Sequence, residues 1–102
     1  MNSRTRNRLI MLTAVLLGAC SPALYMPSMT DASRTGISSD SLLIGRTLYA
    51  NHCGSCHNLH LPEQYTRAHW EKEMPEMQRK AKISDEETKL ITNFLLARSK
   101  PE

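Results

Sequence analysis

The chain has 102 residues, of which 40% are hydrophobic and 23% are charged, and its formal net charge is +3. Three of its thirteen basic residues lie within residues 1–19, a segment without any acidic residue. Without that segment, ten basic and ten acidic residues remain. The basic pI of about 8.9 therefore gives no support for nucleic-acid binding. Residues 20–102 suffice for one small domain only.

The first segment, residues 1–19, has the composition of an export signal. Three arginines precede an uncharged apolar run over residues 9–19. This run is short for a membrane-spanning helix, which needs about 20 apolar residues. We therefore predict that residues 1–19 form a cleaved signal peptide.

The end of the apolar run resembles the lipobox of bacterial lipoproteins. It reads Leu17-Gly18-Ala19-Cys20, with two small residues before the cysteine. In that family the cysteine carries lipid and becomes the first residue after cleavage, so the resemblance implies a membrane anchor at Cys20. Ser21, in place of Asp, implies an outer-membrane lipoprotein facing the periplasm. The alternative is an ordinary signal peptide that leaves Cys20 as an unmodified thiol.

Residues 20–40 are expected to form the lipidated N-terminus and a flexible linker. This stretch contains two prolines, five serines and no helical or alternating apolar pattern. A flexible coil of about 20 residues would reach roughly 25 Å. Part of the stretch could instead pack on the domain, because it contains four apolar side chains. They are Leu24, Tyr25, Met26 and Met29.

A domain over residues 41–99 is predicted to begin with a helix, for which Asp40 or Ser41 could serve as the N-cap. Gly45 shares a face of this helix with Tyr49, four residues further on. Glycine inside a helix costs about 1 kcal/mol relative to alanine. We therefore expect a packing contact at Gly45 that excludes a larger side chain.

Residues 53–57 read Cys-Gly-Ser-Cys-His, the C-x-x-C-H signature of covalent haem c attachment. The thiols of Cys53 and Cys56 would bond to one haem, and His57 would bind the iron as its proximal ligand. A thioredoxin-type pair requires a βαβ context, which the sequence does not indicate. A structural zinc site requires further spaced ligands, and no second cysteine pair is present. One covalent haem c is therefore the predicted cofactor.

The segment after the motif is predicted to supply the second axial ligand of the iron. Thr66 can cap a helix in this segment, and Pro75 is expected to break or kink that helix or to start a new one. A thioether ligand would come from Met77, which we favour, or from Met74. His69 is the one histidine considered for the same position.

Resemblances to known cytochromes differ on the choice between the two methionines. The Met74-Pro75 step resembles that of several small cytochromes c. Trp70 followed seven residues later by Met77 resembles another set of short c-type domains. Each methionine taken alone could also be a gap-filling core residue, and only one of them can bind the iron.

The last helix shows the strongest local pattern. Ser84 and Glu87 form a predicted capping box. An apolar stripe at helical spacing follows, made of Leu90, Ile91, Phe94 and Leu95. Together with the Gly45–Tyr49 pattern, this helix resembles the class I cytochromes c over roughly residues 41–99. The resemblance implies a small all-α fold whose N- and C-terminal helices cross around one haem, with Phe94 or Leu95 against Gly45.

The whole chain thus resembles a class I-like monohaem cytochrome c domain on a lipoprotein signal sequence. This resemblance implies one-electron transfer with a redox partner protein, either as a membrane-anchored periplasmic carrier or as an electron-accepting subunit of an oxidoreductase. No catalytic residue and no small-molecule substrate is predicted. The alternative function is a haem-based sensor or ligand-binding module whose sixth iron position is open or labile.

Overall fold

The computed structural model describes residues 23–54 and 59–102. Within these ranges the chain forms four α-helices and a short 3₁₀ turn, Pro62–Gln64. The helices are α1 (Met29–Thr35), α2 (Ser39–Cys53), α3 (Arg67–Ala81) and α4 (Asp85–Ala97). The described residues contain no β-strand, only an isolated bridge between Thr66 and Lys100. The predicted all-α fold is confirmed.

Helices α2 and α4 cross at Gly45 so closely that no side chain fits between them. A Cβ atom on Gly45 would overlap the carbonyl oxygen of Leu90 and lie 2.9 Å from the Cβ of Phe94. The contact expected between Gly45 and Phe94 is therefore present. This direct packing of one helix backbone on the other offsets the cost of a glycine inside a helix.

The two crossing helices begin with side-chain caps. Ser38 caps α2 by accepting a hydrogen bond from the N–H of Ser41 at 3.1 Å, so the predicted cap at Asp40 or Ser41 is wrong. The capping box of α4 is confirmed. The Ser84 hydroxyl accepts from the N–H of Glu87, and the Glu87 carboxylate accepts from the N–H of Ser84.

Helix α3 runs without interruption through Pro75, so the predicted break or new start at this residue is wrong. Proline deprives the carbonyl of Glu71, four residues earlier, of its helical partner. Both residues are exposed, so water can satisfy that carbonyl. The predicted cap of this helix is confirmed, because the Thr66 hydroxyl accepts from the N–H of His69 at 3.2 Å.

The core forms where α4 packs against both α2 and α3. Its buried cluster consists of Tyr49, Trp70, Met74, Ile83, Ile91, Phe94 and Leu95. The predicted apolar stripe of α4 supplies three of these, all 0% exposed, whereas Leu90 is only half-buried. Tyr49 of α2 meets Trp70 of α3 edge-on, with ring centroids 6.4 Å apart. The core is therefore built from all three longer helices.

Residues 24–36, which we call the strap, pack along α2 and α4. Tyr25 stacks on Phe94 with ring centroids 4.6 Å apart, and its hydroxyl donates to the Phe94 carbonyl. Arg46 of α2 donates to the carbonyls of Tyr25 and Leu24. The expectation of a flexible linker is therefore wrong for this stretch. Of the apolar side chains that the sequence left open, Leu24 and Tyr25 pack on the core cluster, whereas Met26 and Met29 are exposed.

Asp31 fastens the strap to the end of α4. Its carboxylate is buried and accepts two hydrogen bonds from Arg98, at 2.7 and 3.1 Å, together with bonds from Arg34 and Ser28. The hydrogen bonds from Arg98 are the main reason that the pKa of Asp31 lies well below its usual range. Paired and bonded in this way, the charge can be buried without a large desolvation cost.

Replacing Gly45 with alanine should destabilise the protein, although alanine is the better helix former. The added methyl group would force α2 and α4 apart, and overpacking of this kind costs about 1–3 kcal/mol. Denaturant unfolding followed by circular dichroism measures the change. The matched control is Asn51→Ala, at an exposed position of the same helix, which should keep or raise stability. A Gly45→Ala variant as stable as the control would contradict the close crossing.

Asp31→Asn should lower the free energy of unfolding at pH 7 by about 2 kcal/mol, the usual contribution of hydrogen bonds to a charged group. Because the pKa of Asp31 is lower in the folded than in the unfolded chain, its stabilisation is present near pH 7. That stabilisation is lost as the pH falls below about 4, the ordinary value for aspartate.

Unfolding at pH 7, 5 and 3 tests this prediction. The wild type should lose more stability between pH 5 and pH 3 than Asp31→Asn does. Asp40→Asn, at an exposed position of α2, is the control and should follow the wild-type profile. Parallel profiles for the wild type and Asp31→Asn would show that the buried carboxylate does not fasten the strap.

Candidate haem site

The C-x-x-C-H motif begins where α2 ends. Cys53 is the last residue of the helix, and Gly54 is its C-cap. The Cys53 side chain is half-buried and packs against the core cluster. The rest of the motif falls within residues 55–58, which are outside the described residues, so the roles of Cys56 and His57 stay predictions.

Two buried aromatic side chains hold the chain where it returns from the motif. Tyr49 donates its hydroxyl to the carbonyl of His60 at 2.6 Å, and Trp70 donates its indole N–H to the carbonyl of Pro62 at 2.9 Å. Burial raises the pKa of the Tyr49 phenol, so this group stays protonated and remains a donor near neutral pH. The start and the end of the motif segment are thus both tied to the core.

The two candidate methionine ligands lie three residues apart on α3 but differ in burial. Met74 is 4% exposed and belongs to the buried core cluster. Met77 is half-buried and packs on the outside of the same cluster. Met74 is therefore enclosed by other side chains, whereas part of Met77 is open to solvent.

The described histidines contact protein neighbours. His69 stacks on the ring of Tyr65, with centroids 4.0 Å apart and planes 14° apart. His60 meets the same tyrosine ring edge-on, and the imidazole of His52 lies 3.4 Å from the carboxylate of Glu87. The stacking on Tyr65 accounts for the position of His69, and its role as an iron ligand stays a prediction.

The described part of the site fits a covalently attached haem. Cys53 places one thiol of the motif beside the apolar core, and Met77 offers a soft sulfur ligand suited to haem iron. Further apolar side chains pack on the core cluster but remain half-buried. They include Leu48, Leu59, Tyr65 and Ala81. An apolar macrocycle covering such side chains would remove their exposed surface from water, worth roughly 25 cal/mol per Å².

Some residues that shape the site were not recognised in the sequence. The sequence patterns place Tyr49 on the helix face of Gly45 and Trp70 seven residues before Met77, and neither pattern predicts a hydrogen bond that holds the loop. Their amphipathic side chains, close to the motif, were the available signal, since buried Tyr and Trp generally find a polar partner. Likewise, Ser28 followed three residues later by Asp31 is a capping pattern inside the stretch interpreted as a linker.

The helical fold and the motif at the end of α2 define a c-type cytochrome. A family model described as dihaem cytochrome c matches residues 49–102, which is more than half of the chain. The chain therefore belongs to the dihaem cytochrome c family, and its function is haem-based electron transfer. No curated protein and no solved structure matches the chain.

The family match differs from the sequence-based resemblance in the number of haems. The resemblance implied a monohaem class I domain, whereas the matching family is one of dihaem proteins. The chain has one C-x-x-C-H motif and three cysteines in all. Beyond Cys53 and Cys56, only Cys20 is left for any further thioether bond. The match supports a cytochrome c domain without confirming its monohaem class.

The predicted signal peptide and lipid site fall within residues 1–22, outside the described residues. Among the helices in residues 23–54 and 59–102, none has both the length and the hydropathy needed to cross a membrane. Export, cleavage and lipid attachment at Cys20 therefore stay predictions.

Tyr49→Phe should lower the free energy of unfolding by about 1 kcal/mol, because it removes a buried hydrogen bond without changing the ring. Amide hydrogen exchange should also accelerate near His60, whose carbonyl loses its donor. The matched control is Tyr65→Phe, which keeps the ring stacked on His69 and should have a smaller effect. Equal effects of the two substitutions would contradict a specific role of the Tyr49 hydroxyl.

Proposed function

We propose that the protein is a one-haem electron carrier, or an electron-accepting subunit of an oxidoreductase, with iron held between His57 and Met77. We further propose that lipid on Cys20 anchors it to the outer membrane, where it faces the periplasm. The observation that carries this proposal is the position of Cys53. This first thiol of the haem motif lies at the end of α2, against the core cluster on which Met77 also packs.

Each protein group has a defined task in this proposal. When bound, haem would supply reversible one-electron chemistry at its iron. Cys53 and Cys56 would attach it through thioether bonds, and the imidazole of His57 would bind the iron from one side. The Met77 thioether would be the second protein ligand, and a sulfur ligand favours the reduced state and raises the potential.

The choice of Met77 over Met74 is supported by burial. Removing Met74 from the core cluster to bind iron would leave a cavity, and truncating a buried Met to Ala costs about 2–5 kcal/mol. Met77 is already at the edge of that cluster and can turn its sulfur outward at lower cost. Because α3 continues through Pro75, both sulfurs are carried by one continuous helix.

The stoichiometry of one haem is supported by the cysteines. Attachment in the C-x-x-C-H pattern uses two thiols, and this chain has one such pair. Cys20 is the third cysteine, and lipidation would account for a thiol that has no partner motif. The same assignment explains why an exported chain carries an odd number of cysteines.

Visible and near-infrared spectra of the wild type, Met77→Ala and Met74→Ala test the ligand assignment. The oxidised wild type should show a sulfur-to-iron charge-transfer band that Met77→Ala abolishes. Met74→Ala should keep the band but lower the free energy of unfolding by about 2–5 kcal/mol, because this side chain fills the core. The haem-to-polypeptide ratio, measured on the same samples, should be one.

The opposite results would each change the proposal. Loss of the band in Met74→Ala alone would assign the ligand to Met74. A wild type without the band that binds carbon monoxide in the ferrous state would favour the sensor function. A ratio of two haems per chain would overturn the monohaem assignment, and a protein without covalent haem would overturn the proposal as a whole.

A further inference from the structure

Four large apolar side chains of the described residues are exposed to solvent. They are Met26, Met29, Leu43 and Ile44, with exposed fractions of 61, 73, 42 and 50%. We call Met26, Met29 and Leu43 the apolar patch. Single exposed apolar residues are ordinary, but a contiguous group on a small soluble domain usually marks a surface that contacts something else.

Contacts between the strap and α2 bring these side chains together. The Ser39 hydroxyl lies 3.7 Å from the sulfur of Met29, and Leu43 follows Ser39 by one helical turn on the same face of α2. Arg46, almost another turn along, donates to the carbonyl of the residue preceding Met26. The strap therefore runs along the side of α2 that carries Leu43, with Met29 near Ser39 and Met26 near Arg46. Ile44, the next residue after Leu43, lies about 100° further around the helix and outside this side.

The packed strap also shortens the connection to the proposed lipid. A free linker through residue 40 would have let the domain move far from the membrane. The strap instead contacts α2 from Leu24 onward, so only residues 21–23 separate it from Cys20. At about 3.5 Å per residue, Leu24 can lie no further than roughly 15 Å from a lipidated Cys20. The apolar patch is therefore held close to the bilayer.

We propose that the apolar patch rests on the surface of the lipid bilayer and orients the cytochrome domain on the membrane. This inference depends on the lipid anchor of the proposed function, and the bilayer is the occupant that the short tether brings within reach. Methionine and leucine side chains gain free energy when they enter the boundary between headgroups and acyl chains. The anchor raises the effective concentration of the membrane at the patch, so a modest apolar contact suffices.

The position of the patch leaves the haem site accessible. Leu43 and Cys53 are ten residues apart on α2, which corresponds to roughly 15 Å along the helix axis. The end of α2 that carries the haem motif therefore lies outside the patch. Asp40 and Arg46, of opposite charge, flank the patch along the same helix. The contact should therefore depend on apolar burial and respond little to salt.

Photo-crosslinking of the full mature lipoprotein, with haem attached, tests the inference. The protein is reconstituted into vesicles of phosphatidylethanolamine and phosphatidylglycerol that contain a phospholipid with a diazirine near its headgroup. After illumination, mass spectrometry maps the residues bonded to lipid. Cross-links should concentrate at Met26, Met29 and Leu43, at low and at high salt alike.

Two pairs of substitutions make the test specific. A double variant with Met29→Gln and Leu43→Gln should lower the cross-link yield about tenfold. This is the change expected when the burial of about two methylene-sized groups is lost. Lys72→Gln with Glu76→Gln, at exposed positions of α3, is the matched control and should leave the yield unchanged. Unchanged circular dichroism and visible spectra confirm that each variant is folded.

The outcomes separate this inference from the proposed anchor. Lipid cross-links elsewhere on the domain, on protein that still sediments with vesicles, would overturn the patch and leave the anchor standing. A patch without lipid cross-links, on protein that a separate bifunctional cross-linker joins into dimers through the patch, would assign it to self-association and overturn the membrane contact. A Cys20→Ser variant that sediments as the wild type does would overturn the lipid anchor itself.

Discussion

The contact of the α2 and α4 backbones at Gly45 is the constraint on which the other features depend. With no side chain between the helices, the Leu90 carbonyl and the Cβ of Phe94 lie directly against α2. This crossing sets how α2 lies on α4, and Cys53 begins the haem motif at the end of α2. A larger residue at Gly45 would move the attachment point relative to the core, so the glycine serves the site as well as the fold.

The strap covers one side of the crossing, and the candidate haem site borders another. Phe94 contributes to both sides. Its ring stacks on Tyr25 of the strap at 4.6 Å and contacts the ring of Tyr49 at 6.0 Å. Tyr49 in turn holds the loop after the motif through the His60 carbonyl. The rings of Phe94 and Tyr49 thus connect the strap to the segment that would attach haem.

The sequence was sufficient for features encoded by local chemistry. Ser84 with Glu87, Thr66 and the stripe of α4 follow from capping and helical periodicity, and their positions agree with the structure. The strap depends instead on pairing between residues far apart, such as Asp31 with Arg98, which no local pattern reveals. The continuity of α3 through its proline is likewise not revealed by a local pattern. The cost of a proline depends on whether water reaches the carbonyl that loses its partner.

With the proposed lipid anchor, the strap would link the stability of the domain to its placement in the cell. The hydrogen bonds of Asp31 that fasten it to α4 also prevent residues 24–36 from serving as a long tether. If Cys20 carries lipid, releasing the strap would both loosen the packing on Phe94 and lengthen the connection to the membrane. On an anchored protein, a flexible linker would let haem reach partners at many distances from the membrane, whereas a fastened strap would favour partners that approach close to the membrane surface.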